Sequence, residues 1–159
     1  MANITIITVG TLKESYLSEA VAEYKKRLSL YARVDEVNLK EERIRDEDDA
    51  AEVARALECE GDRIIAAIPK GADTIALCVE GKQYSSEELA AALGKMADGS
   101  GKIALIIGSS HGLSPRVKSL CYMRLSVSRL TFPHQLMRAM LMEILYRSFT
   151  ILAGKKYHK

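Results

Sequence analysis

The sequence predicts an α/β domain with a mostly parallel sheet and helices on both faces. Three observations carry this. Short β-rich runs alternate with longer segments of helical spacing along the whole chain, as in α/β architectures. Residues 102–107, Lys-Ile-Ala-Leu-Ile-Ile, are almost wholly apolar, the pattern of a central strand covered on both sides. The 159 residues suit a single domain, spanning residues 1–159. A domain of that size buries roughly two-thirds of its extended-chain surface without a disulfide or metal staple.

The elements follow in order. Residues 4–9, Ile-Thr-Ile-Ile-Thr-Val, make a first strand closed by Gly10. Residues 12–30 place Leu17, Val21, Tyr24 and Leu28 at helical spacing. Residues 33–39 read as a second strand, and 41–49 as a charged connector. Asp46 is the expected cap of a helix to about Glu60, with Gly61 as its stop. Residues 63–68 read as a third strand ended by Pro69, and 74–79 as a fourth, with a turn at 80–82. Ser85 and Glu88 form a capping box for a helix to about Met96. After the fifth strand, 102–107, Ser114 and Pro115 open a short helix to about Leu120. Residues 123–127 make a sixth strand. Thr131 is the expected cap, and Pro133 a first-turn residue, of a long terminal helix that stops near Gly154.

The overall charge of +2 hides an asymmetry. Residues 1–107 are net acidic, whereas residues 108–159 hold nine Lys and Arg against Glu143 alone. A basic carboxyl third suggests a polyanionic partner on that side; a solvated helix face is the plain alternative. Cys59, Cys78 and Cys121 are odd in number and lack CxxC spacing, so they read as small apolar residues. With three scattered His, they offer no metal site. There is no signal peptide and no apolar run long enough to span a membrane, so a soluble, cytoplasmic protein is expected.

Ligands in open α/β sheets sit beyond the carboxyl ends of strands. Three such ends stand out: Leu77 leading to Glu80 and Gly81, the loop beginning at Gly108, and Val127 to Thr131. Side by side they would enclose a pocket of backbone amides and apolar walls, suited to an adenine and a ribose. The Gly108 loop alone is weak, since two glycines after a strand often make only a turn. It lacks the Lys of a P-loop and the order of a dinucleotide fingerprint. His111, His134 and His158 are the residues that titrate near neutral pH unaided. A neutral imidazole at His134, at a helix start, can accept a proton or donate a hydrogen bond. His158 lies in a basic tail that needs a docking site before it can act. The terminal helix is apolar most of the way round, with Leu136, Met137, Met140, Leu141, Ile144 and Leu145. That hints at a homodimer through this carboxyl-terminal helix.

Certain runs carry a resemblance. They are Gly108 with Gly112-Leu113-Ser114, then Ser126 to Gln135 with its Thr131-Phe132-Pro133-His134-Gln135 core, Tyr146-Arg147, and the terminal Tyr157-His158-Lys159. At the amino end Ile6, Thr8, Val9, Gly10, Lys13 and Tyr24 agree, as do Gly81-Lys82 and Ser85-Ser86-Glu87. On these the chain resembles the ribosomal RNA large-subunit methyltransferase H family of the SPOUT, or α/β-knot, superfamily, over its whole length. Two positions differ from the family's usual pattern: Ser109 stands for a glycine and Leu130 for a methionine.

The resemblance implies a carboxyl-terminal trefoil knot. It also implies S-adenosyl-L-methionine as cofactor, held by Leu77, Gly108, Val127, Ser128, Arg129, Leu130, Thr131 and Phe132. The implied reaction methylates N3 of a pseudouridine in the 23S rRNA of the ribosome. His158, or failing it His134, is the candidate proton acceptor, and Arg138 or Arg147 the cation that favours the deprotonated base. The implied partners are the 23S rRNA and a second copy of the chain, with no metal and no membrane. The alternative is a non-enzymatic ribosome-associated scaffold that binds RNA. A flavodoxin-like nucleotide-binding domain would follow from the α/β pattern alone, but the phosphate motif is missing.

Overall fold

The computed structural model describes residues 1–158; Lys159 of the tail motif lies outside the described residues. Five strands form one fully parallel sheet: β1 (Ala2–Val9), β2 (Ala32–Leu39), β3 (Asp73–Lys82), β4 (Lys102–Ile107) and β5 (Met123–Leu125). The order is β2-β1-β4-β3-β5, so β4 is central, flanked by β1 and β3. Five helices join them: α1 (Ser15–Leu28), α2 (Ala50–Ala67), α3 (Ser86–Asp98), α4 (Pro115–Leu120) and α5 (His134–Leu152).

Strand alternation splits the core into two layers. Ile4, Ile6, Ile103 and Leu105 face a cluster with Leu17, Leu93, Leu141 and Leu145 from α1, α3 and α5. Ile7, Ala104 and Ile106 face a smaller one with Ile64 of α2 and Val117 of α4. Helices on both faces are therefore found as expected. No helix among the described residues is long and apolar enough to cross a membrane.

Local signals hold where they are strongest. Ser85 and Glu88 make the reciprocal capping box, and Ser114 accepts from the Val117 N–H at the start of α4. Five expectations fail. The segment 63–68 is not a strand but the end of α2, which runs through Gly61 to Ala67. Its buried residues Ala56, Glu60, Gly61 and Ile64 keep helical spacing, so packing overrides the β-branched pair Ile64-Ile65. Gly61 is no stop. A Cβ there would lie 2.9 Å from Ser114 Oγ, so glycine admits α4 against α2. The cap of α2 is Asp49, whose carboxylate accepts from Ala51 and Glu52 N–H, while Asp46 serves a turn before it.

Residues 80–82 likewise make no turn. β3 continues to Lys82 with a register shift against β5 between Leu77 and Lys82. A Cβ on Gly81 would lie 2.8 Å from backbone carbons of Arg124 and Leu125, so glycine lets two chain segments pass closely. The cap of α5 is Pro133, with no side-chain bond, and Thr131 is exposed without capping it.

Candidate functional site

At the carboxyl ends of β4 and β5, beside the outer half of β3, lies a cavity of about 390 Å³. Leu77 to Glu80 form one wall, Ile107 to Leu113 the floor, and Val127, Ser128 and Leu130 to His134 the opposite wall. The floor is tight. A Cβ on Gly108 would fall 2.2 Å from the Gly112 carbonyl oxygen, so no other residue fits. Gly112 has φ +85° and its N–H donates to the Ser109 carbonyl at 2.9 Å, closing the turn.

The facing wall is preformed by short hydrogen bonds. Ser126 Oγ donates to the Ser128 carbonyl, and the Leu130 N–H donates to Ser128 Oγ, both at 3.0 Å. The Ser126 N–H donates to the Lys82 carbonyl at 2.9 Å and ties this wall to β3. Charge enters mainly as the Lys118–Glu80 ion pair. The ammonium bonded to Glu80 holds its carboxyl below the usual carboxylate range. Burial pushes the Cys78 thiol upward, so it sits in the wall as a neutral group.

A second, polar cleft of about 240 Å³ lies behind the same wall. Tyr84 to Ser86, Glu143, Arg147 and Ser148 line it, and Leu125 and Val127 belong to both cavities. The tail docks beside it. The Tyr157 ring meets Tyr146 edge-on at 4.8 Å, the Arg147 guanidinium lies over it at 4.8 Å, and its hydroxyl donates to Glu143 Oε1 at 3.2 Å. His158 Nε2 lies 2.8 Å from Glu87 Oε1, and its Nδ1 lies 3.4 Å from Arg147 Nη1. The Glu87 backbone N–H, and next the His158 ring, hold the Glu87 carboxyl low.

Sequence-predicted residues thus fall into three places. Leu77, Gly108, Val127, Ser128, Leu130, Thr131, Phe132 and His134 line the first cavity. Arg129 belongs to the same loop but does not line it, and its side chain faces solvent. His158 stands in the docked tail beside the second cleft, against Glu87 and Arg147, and lines neither cavity. Arg138 is in neither. It is only 5% exposed, and its fork donates to the Gly10 carbonyl at 3.2 Å and Asn38 Oδ1 at 2.7 Å. Burial lowers its pKa from the ordinary guanidinium value. Sequence reasoning missed Glu60, a buried carboxylate bonded to Ser109 on the cavity floor. It read the Glu60-Gly61 pair as a helix end, and nothing local marks it otherwise.

Comparison with known proteins places the chain in a family. The family model described as "Predicted SPOUT methyltransferase" matches residues 2–158. A "Ribosomal RNA large subunit methyltransferase H" from Listeria monocytogenes serotype 4b (strain CLIP80459) is 49% identical over 158 residues, covering 99% of both chains. One of the same name from Bacillus pumilus (strain SAFR-032) is 46% identical, again over 99% of both. A solved probable methyltransferase from Bordetella pertussis Tohama I shares the fold at a TM-score of 0.52 and 14% identity, covering 93% of this chain and 96% of that one. A probable methylase family protein from Haemophilus influenzae Rd KW20 does so at a TM-score of 0.52 and 16% identity, covering 97% of this chain and 67% of that one. The chain belongs to the SPOUT methyltransferase family, in the group of the ribosomal RNA large subunit methyltransferase H proteins.

Proposed function

We propose that the protein methylates N3 of a pseudouridine in 23S rRNA, using S-adenosylmethionine bound in the first cavity. The observation that carries the reading is the cavity itself. Loop backbone from 108–112 and 127–132 encloses it, with apolar walls from Leu77, Leu125, Val127 and Phe132. Its size lies within the usual range for small-molecule sites. These groups fit an adenosine: backbone amides and carbonyls for the base edge, apolar side chains for its faces. Bound there, S-adenosylmethionine would supply an electrophilic methyl on its sulfonium.

The chain's own residues would do the rest. They bring the two reactants together and exclude water, which is a large share of the rate in such transfers. The proton on pseudouridine N3 must leave before the nitrogen can attack. His158 of a second copy of the chain is the acceptor we assign, since within one chain it lies outside the cofactor cavity. With Nε2–H donating to Glu87, Nδ1 carries the lone pair, which faces the Arg147 guanidinium at 3.4 Å and takes the proton once that contact opens. Arg147, beside that ring, favours the anion left on the base. Arg138 is better assigned to positioning, because it is buried against Gly10 and Asn38 and lines neither cleft. His134, lining the cavity, is the second candidate acceptor.

RNA phosphates would be gripped by Arg124, Arg129, Lys155 and Lys156. All four are exposed and have no carboxylate within 4.0 Å among the described residues. Among the described residues, Arg116 is committed to Glu58 and Asp62, Lys118 to Glu80 and Arg147 to Glu143, and Arg138 is buried.

We extend the reading to a homodimer through α5, where Leu136, Met140 and Ile144 form a row that the single chain covers only in part. Such pairing would carry one chain's tail toward the other's cavity. The trefoil knot belongs to the same proposal; the close passage of Gly81 against Arg124 and Leu125 supports it.

Isothermal titration with S-adenosylmethionine tests the cavity. Saturable binding at one site per chain is expected. No binding at millimolar cofactor would favour an RNA-binding scaffold without enzyme activity.

A further inference from the structure

Glu60 has no part in either cleft's chemistry, yet it is a carboxylate only 3% exposed in the middle of α2. A buried charge is costly unless its oxygens are satisfied. Both are satisfied, by neutral donors from distant parts of the chain. Oε1 accepts the Ser109 hydroxyl at 3.0 Å, and Oε2 accepts the Glu42 backbone N–H at 2.9 Å. An apolar side chain of similar size would fill the space without that desolvation, so the carboxylate's distinctive contribution is the link it makes.

Each end of the link is anchored. Ser109 is 5% exposed, and its carbonyl closes the turn with Gly112. The missing Cβ of Gly108 leaves that loop no slack, so moving Ser109 moves the cavity floor. On the other side the Glu42 carboxylate pairs with Arg63, which also donates to the Lys40 carbonyl at 2.9 Å. The connector then runs outside the floor loop, where Glu47 lies 3.7 Å from His111. The connector and the floor loop therefore meet at the surface contact of Glu47 with His111 and through the buried carboxylate. The buried link should dominate, since exposed pairs contribute little.

We propose that Glu60 is a positioning residue that couples the connector, residues 40–49, to the cavity floor, residues 108–112. Filling the cavity then orders the connector, and ordering the connector strengthens binding by the same factor. The proposal rests on the reading of the cavity as an S-adenosylmethionine site.

Hydrogen–deuterium exchange of both segments, with and without S-adenosylmethionine, tests it alongside titration calorimetry and thermal melting. In the unaltered protein the cofactor should slow exchange in both segments. Ser109→Ala removes the link from the floor side and leaves α2 intact. It should weaken cofactor binding about tenfold and abolish the connector's response, while the floor still responds. Glu60→Gln can accept from the Glu42 N–H and donate to Ser109 Oγ, so it should keep the connector's response.

A merely structural role would lower the melting temperature of Ser109→Ala but leave affinity and connector response unchanged; that result overturns the proposal. So does a connector that ignores the cofactor in the unaltered protein. If the unaltered protein binds no S-adenosylmethionine, the cavity reading fails and this proposal with it. If it binds and Ser109→Ala behaves identically, only the positioning role fails.

Discussion

The two clefts that share the wall at Leu125 and Val127 are built from different materials. The cavity at the strand ends is made chiefly of backbone, glycines and apolar side chains. The second cleft has Glu143 and Arg147 in its lining, and the docked tail holds them from beside it, with Tyr157 bonded to Glu143 and His158 meeting Arg147 and Glu87. A backbone-built site is intolerant of added volume and indifferent to most changes of charge. A side-chain site tolerates volume better and depends on protonation. The first suits holding a cofactor of fixed shape, and the second suits moving a proton.

The largest effect should come from breaking the backbone site by one methyl group. Gly108→Ala places a Cβ against the Gly112 carbonyl oxygen, where no rotamer can relieve it. Cofactor binding should weaken by at least about a hundredfold, equivalent to about 2.7 kcal/mol. Calorimetry measures this, and near-normal affinity would show that the floor is softer than its geometry.

Next comes the side-chain site. His158→Ala should cut methyl transfer by about a hundredfold and remove the rate's dependence on an imidazole, while cofactor affinity stays unchanged. An unaltered rate and pH profile would remove His158 from the chemistry.

The smallest effect concerns how the tail is held. Burial, then Tyr24 and Glu143, push the Tyr157 phenol up to about 12. The docked tail thus favours the protonated phenol. Its contribution is complete below the ordinary tyrosine value of about 10 and is lost as pH rises from about 10 toward about 12. Tail hydrogen exchange, corrected for its intrinsic rise with pH, should accelerate across that window. Tyr157→Phe should abolish the pH dependence and weaken docking by no more than about 1 kcal/mol. No change across the window would mean the phenol does not hold the tail.

The same contrast governs what could be read from sequence. The backbone-built cavity was largely legible, because its parts are local: a glycine after a buried strand at Gly108, and a loop before a helix at Val127 to Phe132. Strand ends bring such loops together by topology alone. The helix caps at Ser85 and Ser114 were legible for the same reason. What depended on tertiary packing was not. Gly61 looks like a helix stop until α4 is seen against it, and Gly81 looks like a turn until the backbone at 124–125 passes it. Arg129 and Arg138 share the basic third, yet one faces solvent and the other is buried against Gly10 and Asn38. Only side-chain direction separates them. The tail's docking site uses Tyr146, Arg147 and Glu87 from two helices, a contact that no local pattern announces.

The central claim is that a cofactor held at the backbone-built cavity delivers a methyl to one RNA base. Ribosomal large subunits from a strain lacking this protein, incubated with the purified protein and S-adenosylmethionine carrying a labelled methyl, test it most directly. Label should enter the 23S rRNA at a single pseudouridine, on N3, and should vanish with Gly108→Ala. Ribosomes that acquire no label, or acquire it on another atom or base, would contradict the account.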